Sequence, residues 1–497
     1  MIAETPPPPL DLEIPNMSRA TDDKSTLYQG MPTDSYRQIP VLQSNRPRHF
    51  PFDICTDPQQ GDKATEIRLF SFQRPHMRAF HYSWLSFFIA FFGWFSIPPI
   101  MPAIKKQLKL TEDQVSNTNI VSLASTILGR LIVGPLCDHY GARTIQSALL
   151  VVGAVPVASA ALVTSYTGLM LARFFIGLVG CTSTMFSHEV VGSANAISCG
   201  WGNLGAGVTY LITPLVFDLI TLNGTISDNY GWRMALVFPA ILMVVIGICT
   251  YSFSDDCPQG NYIDLKCNHV TADRAKPELY YGFIAVARQP VAWILAFQYA
   301  CCFGVELQVH NVLSLYYYED FKIAGCDIET DANECRLLTQ TKASAISSCF
   351  GLMCIFARAI GGYASDVASR HYDMKGRISM QLLCLVGQGV FLYLFSQIRV
   401  LTWSIPCLVV FGIFAQASTG TTYGIVPYVC PEYTGVTSGI VGAGGNMGSL
   451  AWGFLFKGVA NRAKSFEYLS FFVAASSISS VLIQIHDERS LWSRGGE

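Results

Sequence analysis

The chain has 497 residues, 51% of them hydrophobic and only 14% charged, with a formal net charge of −2 and a mean hydropathy of +0.35. Soluble domains carry ~25% charged residues, so this composition excludes an ordinary soluble fold. The near-neutral balance, with no basic cluster, excludes a nucleic-acid partner. Most of the sixteen cysteines are scattered through apolar runs (Cys181, Cys199, Cys301, Cys302, Cys349, Cys354), where cysteine behaves as a small hydrophobe. No CxxC pair with zinc-type partners occurs, so neither a metal site nor a cofactor is expected.

Residues 1–78 hold Pro6-Pro7-Pro8-Pro9, many Asp, Ser, Thr and Gln, and no sustained apolar period. Such a stretch buries too little surface to offset chain entropy and reads as a disordered tail. It is too polar for a leader h-region, and the first apolar run is too long for one.

Twelve apolar runs follow, each of roughly 20 residues and long enough to cross a ~30 Å hydrocarbon core. The first six cover about 81–103, 116–137, 144–165, 167–187, 193–220 and 233–253. The second six cover about 291–318, 342–368, 378–398, 402–429, 435–459 and 466–485. The expected domains are an N-terminal six-helix bundle (79–253), a central loop (254–289), a C-terminal six-helix bundle (290–486) and a tail (487–497). The fold class is an all-α polytopic membrane protein in a lipid bilayer.

The halves repeat. Arg130, Gly134 and Asp138 in span two recur at the same spacing as Arg358, Gly362 and Asp366 in span eight. Gly202-Asn203-Leu204-Gly205 in span five recurs as Gly445-Asn446-Met447-Gly448 in span eleven. Two matches in register argue for a duplicated unit.

Orientation rests on three weak signals that agree. Lys and Arg show a slight excess that puts both termini in the cytoplasm. Asn223-Gly224-Thr225 is a glycosylation sequon between spans five and six, and Cys326 and Cys335 lie between spans seven and eight. All three then face outside, where a disulfide survives. An unused sequon and two free thiols are the plainer alternative.

An arginine amid hydrocarbon costs at least ~2.5–3.5 kcal/mol on insertion scales, so the repeated pair Arg130 and Arg358 needs a use. Guanidinium is planar, weakly hydrated and forked, and it meets two oxygens of a planar anion at once. Asn203 and Asn446 add amide donors that hydrocarbon leaves without water. The glycines around them read as close helix packing. Arg173, opening Arg173-Phe174-Phe175-Ile176-Gly177, reads as structural, with Glu189 as a partner. Glu306 and His310 share a helix face at i, i+4, either as a proton relay or as a pair that only fixes the helix.

Gly134, Asp138, Gly141 and Arg143 fit the Gly-x-x-x-Asp-x-x-Gly-x-Arg loop of the major facilitator superfamily, with a looser relative in Gly362, Asp366 and Arg377. These read as gate residues, not substrate ligands. Gly-Trp-Gly-Asn-Leu-Gly-Ala-Gly from Gly200 and Gly-Ala-Gly-Gly-Asn-Met-Gly from Gly442 resemble the two signatures of the nitrate/nitrite porter family. Phe303-Gly304-Val305-Glu306-Leu307 and the run at 361–368 are similar to its eukaryotic high-affinity members.

The resemblance implies a major facilitator fold and a nitrate (and nitrite) transporter in the plasma membrane, working as a monomer or loose dimer beside a single-span accessory protein. It implies that Arg130 and Arg358 clamp the anion, with Asn203, Asn446 and Tyr299 around it. Ala206 departs from the signature, where a glycine is common. Concentrative uptake against an inside-negative potential needs protons, for which Glu306 and His310 are the candidates. A nitrate/nitrite exchanger and a nitrate receptor are the alternatives. No nucleophile–base pair points to an enzyme.

Overall fold

The computed structural model describes residues 54–57, 62–176, 191–222, 226–258, 260–261, 279–323, 336–459 and 461–485. Side chains at 128, 130–135, 137–139, 191–193, 195–196, 279–280 and 432 are outside that description, as are Glu189, Asn223, Cys326 and Cys335. The described chain is helical apart from one short hairpin.

The helices are α1 (His76–Trp94), α2 (Met101–Leu108), α3 (Glu112–Tyr140), α4 (Ala142–Ala160), α5 (Tyr166–Ile176), α6 (Val191–Thr221) and α7 (Asp228–Phe253). Then come α8 (Leu279–Ala287), α9 (Pro290–Glu319), α10 (Gln340–Leu352), α11 (Ala357–Gln397), α12 (Leu401–Ile425), α13 (Thr434–Gly458) and α14 (Arg462–Ile478). Helix covers at least part of each of the twelve expected spans, the fourth being described only as far as Ile176. Among the described residues, eight stretches are long and apolar enough to cross a membrane. Helices are the required choice, because hydrocarbon offers backbone N–H and C=O groups no other partner.

Three local features differ from the sequence expectation. Within the tail expected to be structureless, Thr56–Asp57 (β1) and Lys63–Ala64 (β2) pair as an antiparallel hairpin. It is seated on Met77, Phe80 and Ala194 through Ala64, Ile54, Ile67 and Leu69. The expected central loop contains α8. Expected span eight is divided between α10 and the start of α11, and α11 continues into span nine across a kink at Asp373 (φ 52°, ψ −139°).

Small residues set the closest helix approaches, as membrane packing favours. Gly207 of α6 lies against Gly351 of α10, and a Cβ on Gly207 would stand 2.6 Å from the Gly351 carbonyl carbon. The span-five glycines therefore serve packing. Helix α9 is deeply enclosed, with every residue from Gln298 to Tyr317 buried. Polar side chains fix its depth: Gln388 Nε2 donates to the Cys301 carbonyl (2.8 Å) and Trp452 Nε1 to that of Ala300 (2.8 Å). Gln298 Nε2 donates to Ser480 Oγ (2.9 Å).

At the end where α2 turns into α3, an ion-pair network ties the sequence halves together. Lys105 meets Glu112 and lies 2.7 Å from Glu319. Arg462 lies 2.6 Å from Glu112, 2.7 Å from Glu319 and 3.2 Å from Asp320. An exposed pair contributes ~0–1 kcal/mol, but a network shares the cost of fixing its side chains. At the opposite end, Arg377 Nη1 pairs with Asp366 Oδ1 at 2.7 Å. Gly141 there takes φ +88°, with the Asp256 carboxylate 2.6 Å from where a Cβ would sit. Arg143 donates its backbone N–H to Asp256 (2.8 Å) and its Nη1 to the Tyr251 carbonyl (3.0 Å).

Arg462→Gln removes three ion pairs and should loosen the α2–α3 end. Spin labels at the exposed positions 106 and 457 should then gain a longer-distance population in electron–electron resonance. An unchanged distribution would show that the network does not hold that end closed.

Candidate anion-binding site

The site is assembled where α9 meets α6, α11 and α12. Glu306 of α9 is completely buried and Arg358, near the start of α11, is 5% exposed. Arg358 Nη2 lies 2.8 Å from Glu306 Oε2 and also donates to Gln416 Oε1 of α12 at 3.1 Å. Asn203 Nδ2 donates to the other carboxylate oxygen at 3.3 Å, and Cys354 Sγ lies 3.7 Å from that same oxygen. A buried ion pair must recover two desolvation penalties, which requires good geometry and further hydrogen bonds. Glu306 has both.

Aromatic rings form one wall. The Arg358 guanidinium carbon stands 5.9 Å from the Phe303 ring centroid. Tyr299 is stacked on Phe303 at 5.1 Å and meets Tyr423 edge-on at 5.3 Å. Gly445 brings α13 up to these rings, since its Cβ would lie 2.6 Å from Tyr299. Asn446, the next residue, is 1% exposed.

Several buried polar atoms here have no partner: Arg358 Nε, Gln416 Nε2, Asn446 Nδ2 and Asn203 Oδ1. Three of the four are donors. Leaving buried polar atoms unpaired costs about 1–3 kcal/mol each, and an anion accepting from them recovers that cost.

Asn203, Asn446, Tyr299 and Arg358 are thus all buried around the mid-part of α9. Arg130 belongs to α3, but its side chain is outside the described residues, as are those of Gly134 and Asp138. Two expectations change. Arg358, expected to clamp an anion from outside, already holds an internal one, the Glu306 carboxylate. Nor do Glu306 and His310 form a pair: no hydrogen bond joins them among the described residues. Glu306 is held by Arg358 and Asn203. His310 sits among the rings of Phe95 (5.2 Å), Tyr210 (5.9 Å) and Phe350 (5.2 Å).

Gln416 and Cys354 were missed. Gln416 had a signal, being the lone amide in Phe411-Gly412-Ile413-Phe414-Ala415-Gln416-Ala417. Cys354 had none, because cysteine in an apolar run is unremarkable.

Helices surrounding a buried, donor-rich centre between two sequence-related halves define a membrane transporter. The major facilitator superfamily pattern matches residues 83–453. "High affinity nitrate transporter 2.5" of Arabidopsis thaliana is 36% identical over 418 residues, covering 82% of this chain and 79% of that protein. "High affinity nitrate transporter 2.7" of the same plant is 35% identical, covering 86% and 88%. The "Nitrate/nitrite transporter NrtP" of Nostoc punctiforme is 26% identical, covering 78% and 88%. In fold, the chain is similar to an inward-facing, occupied bacterial homologue of the human lysosomal transporter Spinster. The TM-score is 0.60 at 14% identity, over 84% of this chain and 99% of that one. The chain belongs to the major facilitator superfamily and, within it, to the nitrate/nitrite porter family, whose members are transporters and not enzymes.

Arg358→Lys keeps the charge and can replace the one nitrogen, Nη2, that meets Glu306 and Gln416, but it loses the rest of the planar fork, including the unpartnered Nε, and should weaken nitrate binding about tenfold, or ~1.4 kcal/mol. Gln416→Ala should weaken it less. Calorimetric titration of the purified chain with sodium nitrate checks both, and wild-type affinity in Arg358→Lys would remove this arginine from the site.

Proposed function

We propose that the chain is a high-affinity importer of nitrate, and of nitrite, coupled to protons and working in the plasma membrane with both termini cytoplasmic. Two six-helix bundles, 79–253 and 290–486, rock about a midplane site, as in transporters of alternating access. The Asp366–Arg377 pair and the Gly134–Arg143 loop gate the cytoplasmic end, and the Lys105–Glu112–Glu319–Arg462 network gates the outer end. Arg130 and Arg358 hold the anion, with Asn203, Asn446 and Tyr299 around it. The names carried by the relatives support nitrate and nitrite as the substrate class.

The observation that carries the coupling is the Glu306–Arg358 contact of 2.8 Å. Arg358 cannot give the same donors to Glu306 and to nitrate. Protonating Glu306 removes the competing charge and frees the guanidinium for the incoming anion. Nitrate is too weak a base to carry the proton, so the carboxyl carries it. An inside-negative potential opposes nitrate entry by ~2.3 kcal/mol per 100 mV. One proton cancels that opposition, and two let the potential assist. Helix α9 holds Glu306 in contact with both α6 and α11, so its protonation state bears on how both close around the anion.

In voltage-clamped oocytes, nitrate should evoke an inward positive current that grows as the medium is acidified. Glu306→Gln should abolish that current and uphill uptake while keeping nitrate/nitrite counterflow. The current requires two protons per nitrate; uptake with no current that still rises on acidification would mean one proton, and uptake with neither current nor stimulation by acid would favour exchange. A proton-driven current persisting in Glu306→Gln would remove this carboxyl from the coupling.

A further inference from the structure

A second buried arginine meets no carboxylate among the described residues. Arg173 of α5 is 1% exposed, and no ion pair reaches it among the described residues. Its expected partner, Glu189, lies outside them. Its one hydrogen bond runs from Nη2 to Asn311 Oδ1 of α9 at 2.9 Å, while Nε and Nη1 have no partner. Nearby, the Tyr210 hydroxyl of α6 and the His310 Nε2 of α9 are buried and equally unpartnered. Tyr210 lies within electrostatic reach of Arg173, and its ring stands 5.9 Å from that of His310.

A buried charge left without a counter-charge is strongly destabilising. The cluster resembles the Arg358 centre with its internal anion removed. Its donors are a guanidinium edge and a phenol, and the apolar rings of Phe95 and Phe350 lie against His310. That combination suits a small, planar, weakly hydrated anion. It would exclude a phosphate or sulfate, whose stronger hydration flat apolar rings cannot replace. His310 and Asn311 lie four and five residues beyond Glu306 on α9, ~6–7.5 Å along the axis at 1.5 Å per residue.

We propose that Arg173, Tyr210, His310 and Asn311 form a second binding site for a planar monovalent oxyanion. It is stacked one helical turn beyond the Arg358 site, on the side of the Lys105–Arg462 network. This proposal rests on the reading of the chain as a nitrate transporter. The site receives the anion on the path between that end and Arg358. Anion binding there competes with nothing internal, so it requires no proton.

Equilibrium binding of 15N-nitrate to the full chain in nanodiscs tests this. Wild type should saturate at two anions per chain, Arg358→Gln and Arg173→Gln at one each, and the double variant at none. Asn311→Asp supplies an internal anion to Arg173 and should keep the thermal midpoint at or above wild type while abolishing the second site. Retention of both anions in Asn311→Asp or in Arg173→Gln would overturn the proposal. So would complete loss of binding in Arg358→Gln alone, which would leave the transport reading intact. A wild-type chain that binds no nitrate would overturn both readings.

Discussion

The structure depends on one ion pair placed where ion pairs are expensive. Glu306 and Arg358 are buried in the middle of a helical membrane protein, 2.8 Å apart, with Asn203 and Gln416 completing the contacts. Removing either charge would strand the other, at a cost of several kcal/mol. Satisfying both makes this contact the point where α6, α9, α11 and α12 agree on position. The pair is also the only arrangement described here in which the internal anion and an external one would seek the same guanidinium. Stability and substrate competition are therefore the same interaction seen from two sides.

Helix α9 makes this arrangement possible. It is enclosed along most of its length, so its polar groups meet protein, not lipid. Close glycine contacts bring its neighbours in, and side-chain bonds from α11, α13 and the segment after α14 hold its depth. A helix so fixed presents Tyr299, Phe303, Glu306 and His310 at set heights. Movement of the surrounding helices then changes what these residues face without changing their own spacing.

Much of this was legible in the sequence because hydrocarbon makes polar residues conspicuous. Arg358, Asn203 and Asn446 stood out as repeated charges and amides in apolar runs; all three are buried, and Arg358 and Asn203 meet Glu306. The partnership of Glu306 with Arg358 was not legible. The two are 52 residues apart and on different helices, whereas the local i, i+4 rule pointed from Glu306 to His310. That rule describes one helix face, and in a bundle each side chain on a face can meet a different neighbour. Glu306 found a guanidinium and His310 found three rings. The hairpin at 56–64 was hidden for another reason: its strands are two residues each, too short to leave a period-2 pattern.

The two buried arginines sharpen what the fold accomplishes with charge. Both are 5% exposed or less, and both donate to an amide oxygen. They differ in whether a carboxylate among the described residues meets them. Arg358 is neutralised from within, so an anion arriving there must displace or be accompanied by something, and a proton on Glu306 is the smallest such accompaniment. Arg173 offers its free edge without that condition. A path on which the anion first meets an uncompensated guanidinium and then a compensated one separates capture from coupling. Binding at the first needs no proton, and commitment at the second does. On the proposed reading this separation would give the two arginines different roles, although each is a buried guanidinium.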